Sequence, residues 1–141
     1  MSHQYTVAII KPEAVDDTYE ILGEIADAVG FKVKRVIIQA FPESFWGEFY
    51  AEHRGKPFYN ELCQHMASDA VTVALLEGDN VVQRWRDWIG PTDPAKGSWN
   101  THLRAKYGVA ISRNALHGSD SVQAANREST LFWPEMGFAA T

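Results

Sequence analysis

Strand-like and helix-like segments alternate along this chain, and the alternation restricts the fold to a sheet covered by helices. Four β-rich or apolar runs predict strands at residues 5–11, 31–41, 70–77 and 115–117. Helical spacing of apolar residues predicts helices at 18–29 before a C-cap Gly30, in two short pieces within 43–67, at 81–89 after Asn80 as N-cap, and from a cap at Ser119, Asp120 or Ser121 to about Phe132. A parallel doubly wound sheet fits this order, although the first crossover lacks the glycine-rich phosphate turn that such sheets often use. A compact antiparallel α+β sandwich also fits.

Length, charge and cysteine content narrow the class of protein. A chain of 141 residues suits one domain, spanning 1–141. Before Lys11 the apolar run is only four residues, too short for a signal peptide or a membrane span, so we expect a cytoplasmic protein without a membrane partner. The formal net charge of −5 argues against nucleic-acid binding, which needs many Lys and Arg contacts. The single cysteine, Cys63, cannot form an internal disulfide, and we expect it to be a small buried hydrophobe.

One histidine, His117, stands in a stretch that reads NALHGSDS. A histidine beside apolar residues is more often structural than catalytic. Here Gly118 permits close backbone approach, and the polar residues after it place a helix N-terminus near the ring, which favours anions. Plain N-capping of the last helix explains the same polar residues, so the stretch alone leaves both interpretations open.

Glu128 lies on the apolar face of the last predicted helix, together with residues 124, 125, 131 and 132. A carboxylate that points inward needs a partner, because unpaired buried charge is costly. If the helix folds back along the fourth strand, His117 is a candidate partner through either Nδ1 or Nε2. The alternative is that Glu128 lies at the edge of the face and reaches water.

Four cations are candidates for holding a ligand, and their positions alone do not choose among them. Arg84 and Arg86 lie on opposite margins of the helix at 81–89 and are by default solvated charges. Arg104 lies within residues 91–112, a long segment with few periodic apolar positions, and such loops are often functional. Lys11 ends a buried strand, where strand termini often present functional side chains.

Several separated motifs resemble the nucleoside diphosphate kinase family. In family order and spacing, from about residue 5 to residue 134, the chain reads AIIKPEAV, FYAEHRGKPFY, RDWIGPTDP, RNALHGSDS and NRES. The resemblance implies a ferredoxin-like α+β sandwich with a four-stranded antiparallel sheet covered by helices. It also implies a ping-pong reaction in which the γ-phosphate of a nucleoside triphosphate, typically ATP, passes through phosphohistidine to a nucleoside diphosphate.

By this resemblance His117 is the nucleophile, Glu128 orients it and Ser119 hydrogen-bonds nearby. Lys11 and Tyr50 would lie near the transferred group. The remaining positions that match nucleotide contacts are Arg86, Thr92 and Arg104 for the phosphates, Lys11 and Asn114 for the ribose, and Phe58, Ile111 and Leu62 for the base. Stacking accepts any base, so broad base acceptance is expected. Mg²⁺ would be bound through the nucleotide phosphates, without a metal site built from protein groups alone.

The resemblance also implies nucleoside di- and triphosphates as partners and a homo-oligomer based on dimers, either a tetramer or a hexamer. The loop from Thr92 to Arg104 is one residue longer than the common family spacing and lacks the usual Pro-Gly. If this loop misplaces a residue that holds the phosphates, the rate can fall about a hundredfold, so a catalytically weak nucleotide-binding regulatory protein on the same fold is the alternative.

Residues three apart in a regular strand face opposite ways. Asn114 and His117 can therefore share one site only if the fourth strand begins at Ala115 or later.

Overall fold

The computed structural model describes residues 3–136, so the ends of the predicted 1–141 domain, residues 1–2 and 137–141, lie outside the described residues. Its centre is a four-stranded sheet in the order β2-β3-β1-β4, with every neighbouring pair antiparallel. The strands are β1 (His3–Ile10), β2 (Lys32–Gln39), β3 (Val71–Asp79) and β4 (Leu116–Gly118). The antiparallel sandwich is confirmed, and the parallel sheet that the alternation also allowed is excluded.

Six helices flank the sheet in the described part of the chain: α1 (Thr18–Asp27), α2 (Glu43–Phe49), α3 (Tyr59–Met66), α4 (Val81–Ile89), α5 (Leu103–Tyr107) and α6 (Val122–Phe132). The helix α1 ends two residues before its predicted end because Ala28 is already extended, and Gly30, with φ of +86°, forms the turn that follows. Asn80 precedes α4 as predicted but is left-handed and makes no side-chain cap. Ser121 caps α6 by accepting a hydrogen bond from the amide of Ala124.

The segment 91–112 is less irregular than its sequence suggests. It contains the short helix α5 and, before it, a 3-10 turn at Pro94–Lys96. Only Leu103 of α5 is buried, so five residues with one core position gave no detectable periodicity. This helix carries Arg104 towards the sheet, which is its importance for the site.

The core fills both faces of the sheet, because side chains alternate along each strand. On β1, Val7 and Ile9 face one layer, whereas Ala8 and Ile10 face the other. The first layer packs against α2, α3 and α6 through Trp46, Met66 and Phe132; the second packs against α1 and α4 through Ile21, Ile25 and Trp85. Cys63 is buried and free, as expected. None of the described helices has the length and apolar character required to cross a membrane.

Candidate active site

His117 and Glu128 are in direct contact. His117 lies in the middle of β4, where it pairs with Ile9 of β1, and its Nε2 is 2.8 Å from Oε1 of Glu128 on α6. Only 6% of Glu128 is exposed, so this carboxylate points inward and does not reach water. Of the two orientations left open by the sequence, the structure has the one through Nε2. A carboxylate accepts, so the proton lies on Nε2 and the lone pair of the neutral ring lies on Nδ1.

Ser119 completes this pair from the strand side. Its hydroxyl donates to the same Oε1 of Glu128 at 2.8 Å, and its oxygen accepts from the amide of Val7 at 3.2 Å. The ring of His117 also packs edge-on against Phe49, with 5.3 Å between centroids. Serine, carboxylate and imidazole therefore form one buried hydrogen-bonded chain that fixes the orientation of the ring.

A small cavity of about 190 Å³ opens beside the imidazole. Tyr50 lines it and is itself almost fully buried. Burial, and next the nearby Glu128, raise the pKa of the Tyr50 phenol well above its usual range, so the hydroxyl stays protonated and can donate. The other lining residues are Phe49, Glu52, His53, Gly118, Asp120 and Glu128.

A second cavity, of about 450 Å³, brings together six of the predicted nucleotide contacts, namely Lys11, Phe58, Leu62, Thr92, Ile111 and Asn114. Phe58 and Ile111 remain 47% and 61% exposed although both are large and apolar. Exposed apolar plates on a cavity rim are suited to stacking a flat ligand. The volume falls in the usual range for small-molecule sites.

Lys11 and Asn114 form the floor of this cavity. The ammonium of Lys11 donates to Oδ1 of Asn114 at 2.9 Å, and the amide of Asn114 donates to the carbonyls of Thr92 and Ile111. Both side chains are buried. Burial lowers the pKa of Lys11 to about 8, since Glu13 offsets only part of the desolvation.

This depressed pKa predicts a specific pH dependence of stability. In the unfolded chain Lys11 keeps its proton to about pH 10.4, so between pH 8 and that value the unfolded state binds more protons than the native state. The free energy of unfolding of the wild type, minus that of Lys11→Met, should therefore rise by up to about 1.4 kcal/mol per pH unit over this window. Urea unfolding of both proteins from pH 7 to 10 measures the difference, and parallel pH curves would contradict it.

Two arginines approach the site from α4 and α5. Arg104 donates to the carbonyls of Gly90 and Leu116, with Nη1 to Gly90 at 2.9 Å and Nη2 to Leu116 at 3.0 Å. Arg86 donates to the carbonyl of Asp120 at 3.3 Å. Burial, and next the charge of Arg86, lower the pKa of Arg104 to about 10. Two cations whose charges interact favour an anion between or beside them.

Arg84, on the opposite margin of α4, has a different role. It donates to the carbonyls of Val29, Gly30 and Asp79, and its guanidinium lies 4.8 Å from the ring centroid of Phe31. It therefore clamps the turn before β2 and takes no part in either cavity. Arg86, in contrast, donates to Asp120, a residue that lines the cavity of His117, so their bonding partners distinguish the two arginines.

The bend required between Asn114 and His117 is present. Regular pairing in β4 begins at Leu116, which confirms the predicted start at Ala115 or later. Ala115 has φ of +75°, a left-handed conformation that is uncommon for residues other than glycine. This corner turns Asn114 towards the large cavity while His117 lines the small one.

Comparison with known proteins agrees with this geometry. A sequence model of the nucleoside diphosphate kinases matches residues 4–138. The chain belongs to the nucleoside diphosphate kinase family. It is 38% identical over 136 residues to nucleoside diphosphate kinase 1 of Protochlamydia amoebophila, covering 94% of each chain. It is accordingly an enzyme that transfers phosphate from nucleoside triphosphates to nucleoside diphosphates.

Solved structures of the family superpose on this fold. The nucleoside diphosphate kinase of Aquifex aeolicus has a TM-score of 0.89 at 34% identity, covering 94% of this chain and 96% of its own. That of Encephalitozoon cuniculi has a TM-score of 0.86 at 26% identity, covering 92% of this chain and 88% of its own. The ferredoxin-like α+β fold implied by the resemblance is therefore confirmed.

Two residues beside the candidate site were not predicted from the sequence. Glu13 accepts the amide of Ala115 at 3.0 Å and contacts His65 at 2.7 Å. Burial alone would raise the pKa of Glu13, but the bonds from His65 and from backbone amides, together with the charge of Lys11, bring it below its usual value. Glu13 had one signal in the sequence, which is that it lies two residues after Lys11. His65 had none, because it lies in a helix with weak periodicity.

Proposed function

We propose that His117 carries the phosphoryl group between the two nucleotides of this kinase. The observation that supports this is the contact of Glu128 with Nε2, which leaves the lone pair of Nδ1 on an imidazole that lines a cavity. A neutral imidazole is available near pH 7 and is a nucleophile without any added base.

The reaction then has two half-steps. In the first, Nδ1 attacks the γ-phosphorus, a nitrogen–phosphorus bond forms, and the bond to the β,γ-bridging oxygen breaks to release the nucleoside diphosphate. In the second, a terminal phosphate oxygen of another nucleoside diphosphate attacks the same phosphorus and the nitrogen–phosphorus bond breaks. The proton stays on Nε2 in both, where the carboxylate of Glu128 stabilises the positive charge that develops on the ring.

Cations are required beside the phosphates, because the rate of phosphoryl transfer depends mainly on positioning and on stabilising negative charge. We assign the β- and γ-phosphates to Arg86, Arg104 and Thr92. Tyr50, kept protonated by burial, and Lys11 would donate to the transferred group or to the groups next to it. Both cavities would thus hold different parts of one nucleotide.

The sugar and base belong in the larger cavity. Asn114 and Lys11, already bonded to each other, present polar groups at its floor for the ribose hydroxyls. Phe58 and Ile111 would sandwich the base, with Leu62 beside it. Such a site recognises the flat face of the base, so bases of different edge chemistry are accepted.

Mg²⁺ is proposed to bind through the nucleotide phosphates. Among residues 3–136 no three or more His, Cys, Asp or Glu side chains are grouped so as to hold a metal ion. Glu52 and Asp120 line the cavity of His117 and are carboxylates of the kind that Mg²⁺ prefers, directly or through water. When bound, the ion neutralises phosphate charge.

We further propose a single-domain, cytoplasmic homo-oligomer built from dimers. Within residues 3–136, β2 lies at the edge of the sheet and pairs with β3 alone, and its Val36 and Ile38 are 40% and 52% exposed. Such an edge favours pairing with a second copy. The free Cys63 suits a reducing compartment.

The phosphohistidine route is tested with γ-labelled ATP and Mg²⁺. The protein should acquire acid-labile label, and subsequent addition of GDP should remove it and yield labelled GTP. Label appearing in GTP with no labelled protein at any time would show direct transfer and overturn the proposal.

Glu128 offers an independent test of how the ring is oriented. Replacing it with alanine should lower kcat about 10–100-fold, because the carboxylate that fixes the ring is removed. Glu128→Gln keeps an oxygen that accepts from Nε2 and should lose clearly less. Rapid-quench measurement of phosphoenzyme formation separates the two variants, and equal rates for alanine and glutamine would contradict this role.

A further inference from the structure

His65 connects the two walls of the large cavity. One wall is α3 with Phe58 before it; the other is the turn at residues 109–113, which presents Ile111. Nδ1 of His65 lies 2.6 Å from Nη1 of Arg113 in that turn. A side-chain contact therefore spans the slot between the two apolar plates.

The partners of His65 fix its protonation state. The guanidinium of Arg113 can only donate, so Nδ1 must carry a lone pair. Nε2 lies 2.7 Å from Oε1 of Glu13, a carboxylate that is 7% exposed, so Nε2 must carry the proton. Only the neutral imidazole satisfies both neighbours, and it is itself 12% exposed.

This contact reaches the catalytic strand through Glu13. The second oxygen of Glu13 accepts the amide of Ala115, the left-handed corner between Asn114 and His117. The carbonyl of Ala115 in turn accepts the amide of Lys11. The chain Arg113, His65, Glu13, Ala115 thus ties the rim of the cavity to the start of β4.

We propose that His65, in its neutral form, is a positioning residue that holds the two walls at the separation a nucleotide needs. This rests on the proposed assignment of the large cavity to the sugar and base. The partner is a nucleoside di- or triphosphate of any base, since the contact sets the width of the slot and does not read the base edge.

Protonation of His65 removes this link. An Nδ1–H cannot accept from Arg113, and the ring cation then faces the guanidinium. Glu13, from the segment after β1, attracts this ring cation, whereas the positive charge of Lys11, which interacts with Glu13, disfavours it. Glu61, one turn earlier on α3, lines the same cavity. The turn bearing Ile111 then loses its link to α3, and the form with a protonated His65 binds nucleotide more weakly.

The test is the dissociation constant of MgADP, measured by calorimetry between pH 5.5 and 8.5. At pH 8 His65→Leu should bind about tenfold more weakly, the loss of one charge-assisted hydrogen bond. His65→Gln can accept from Arg113 and donate to Glu13 without titrating, so it should stay within about threefold of the wild type at pH 8. At pH 5.5 the wild type should weaken about fivefold more than His65→Gln does, because only the imidazole can take up a second ring proton and so lose its contact with Arg113. Titration of the ADP phosphates is common to all proteins and cancels.

His3→Gln is the matched control. It alters a His–Glu contact, with Glu77, at the far end of β1 and should change neither affinity nor its pH dependence. In steady-state assays at low pH, His65→Gln should have a lower KM than the wild type, whereas the kcat of the two proteins should be the same. If His65→Leu does not fold, Arg113→Gln, on an exposed side chain, breaks the same link.

Two outcomes are distinguishable. If the unaltered protein does not bind MgADP, the assignment of the cavity fails and the role of His65 with it. If it binds and the pH profiles of the wild type and His65→Gln coincide, only the role of His65 is overturned.

Discussion

Replacing His117 with alanine should reduce phosphate transfer from ATP to GDP by roughly 10⁴–10⁶-fold, because the covalent route is removed. The protein should also acquire no acid-labile label from γ-labelled ATP. The substitution should leave the fold intact, since the backbone pairing of residue 117 with Ile9 does not depend on the side chain. MgADP affinity, measured by calorimetry, should change little, because the proposed sugar and base contacts lie in the other cavity.

The control for this variant is His3→Ala. His3 is a histidine with a carboxylate partner, as His117 is, but its side chain is 58% exposed and lies at the opposite end of β1. It should keep full activity. Acid-labile label on His117→Ala at the level of the wild type would place the phosphoryl group on another residue and refute the assignment.

Replacing Arg104 with leucine should lower kcat/KM about 10²–10³-fold, the usual effect of removing one fixed donor from a transition-state charge. It should also lower the free energy of unfolding by about 2–4 kcal/mol, since charged donors to the carbonyls of Gly90 and of the buried Leu116 are lost. The two effects need to be separated, because Arg104, which we propose to bind phosphate, also ties Gly90 to Leu116. Kinetics at saturating nucleotide and urea unfolding give the two numbers.

The variant Arg84→Leu separates the loss of activity from the loss of stability. Arg84 also donates to backbone carbonyls, at Val29, Gly30 and Asp79, but it lies away from both cavities. It should lose about 1–2 kcal/mol of stability, from the same kind of hydrogen bond at a more exposed position, with kcat/KM nearly unchanged. If both variants lose activity in proportion to stability, Arg104 is structural and not a phosphate clamp.

The fold and the pairing of His117 with Glu128 were accessible from the sequence for physical reasons. Strand and helix periods differ, so their alternation was visible in the apolar pattern, although their order did not fix strand direction. Glu128 was conspicuous because a charge within an apolar helical face requires a partner. A bend between Asn114 and His117 was predicted from their spacing once the resemblance placed both in one site, since a straight strand would send them to opposite faces.

What the sequence did not disclose depends on contacts between distant segments. The choice of Nε2 over Nδ1 is set by where α6 passes β4, which no local pattern encodes. The helix that carries Arg104 is too short to show a period. The contact among His65, Glu13 and Arg113 joins three separate segments, and no pattern within one segment predicts contact with the other two.

The left-handed corner at Ala115 also bears on how this enzyme folds. Its amide is held by Glu13 and its carbonyl by the amide of Lys11, so residues about a hundred positions apart must meet before the corner is stable. Contacts of such separation carry a large loop-closure entropy and form late. Antiparallel pairing of β2 with β3 joins residues only 32 to 45 positions apart, from Gln39 with Val71 to Lys32 with Glu77, and can precede it. We therefore expect refolding protein to recover its helices and most of its sheet before it recovers kinase activity, so that catalysis reports the last stage of folding.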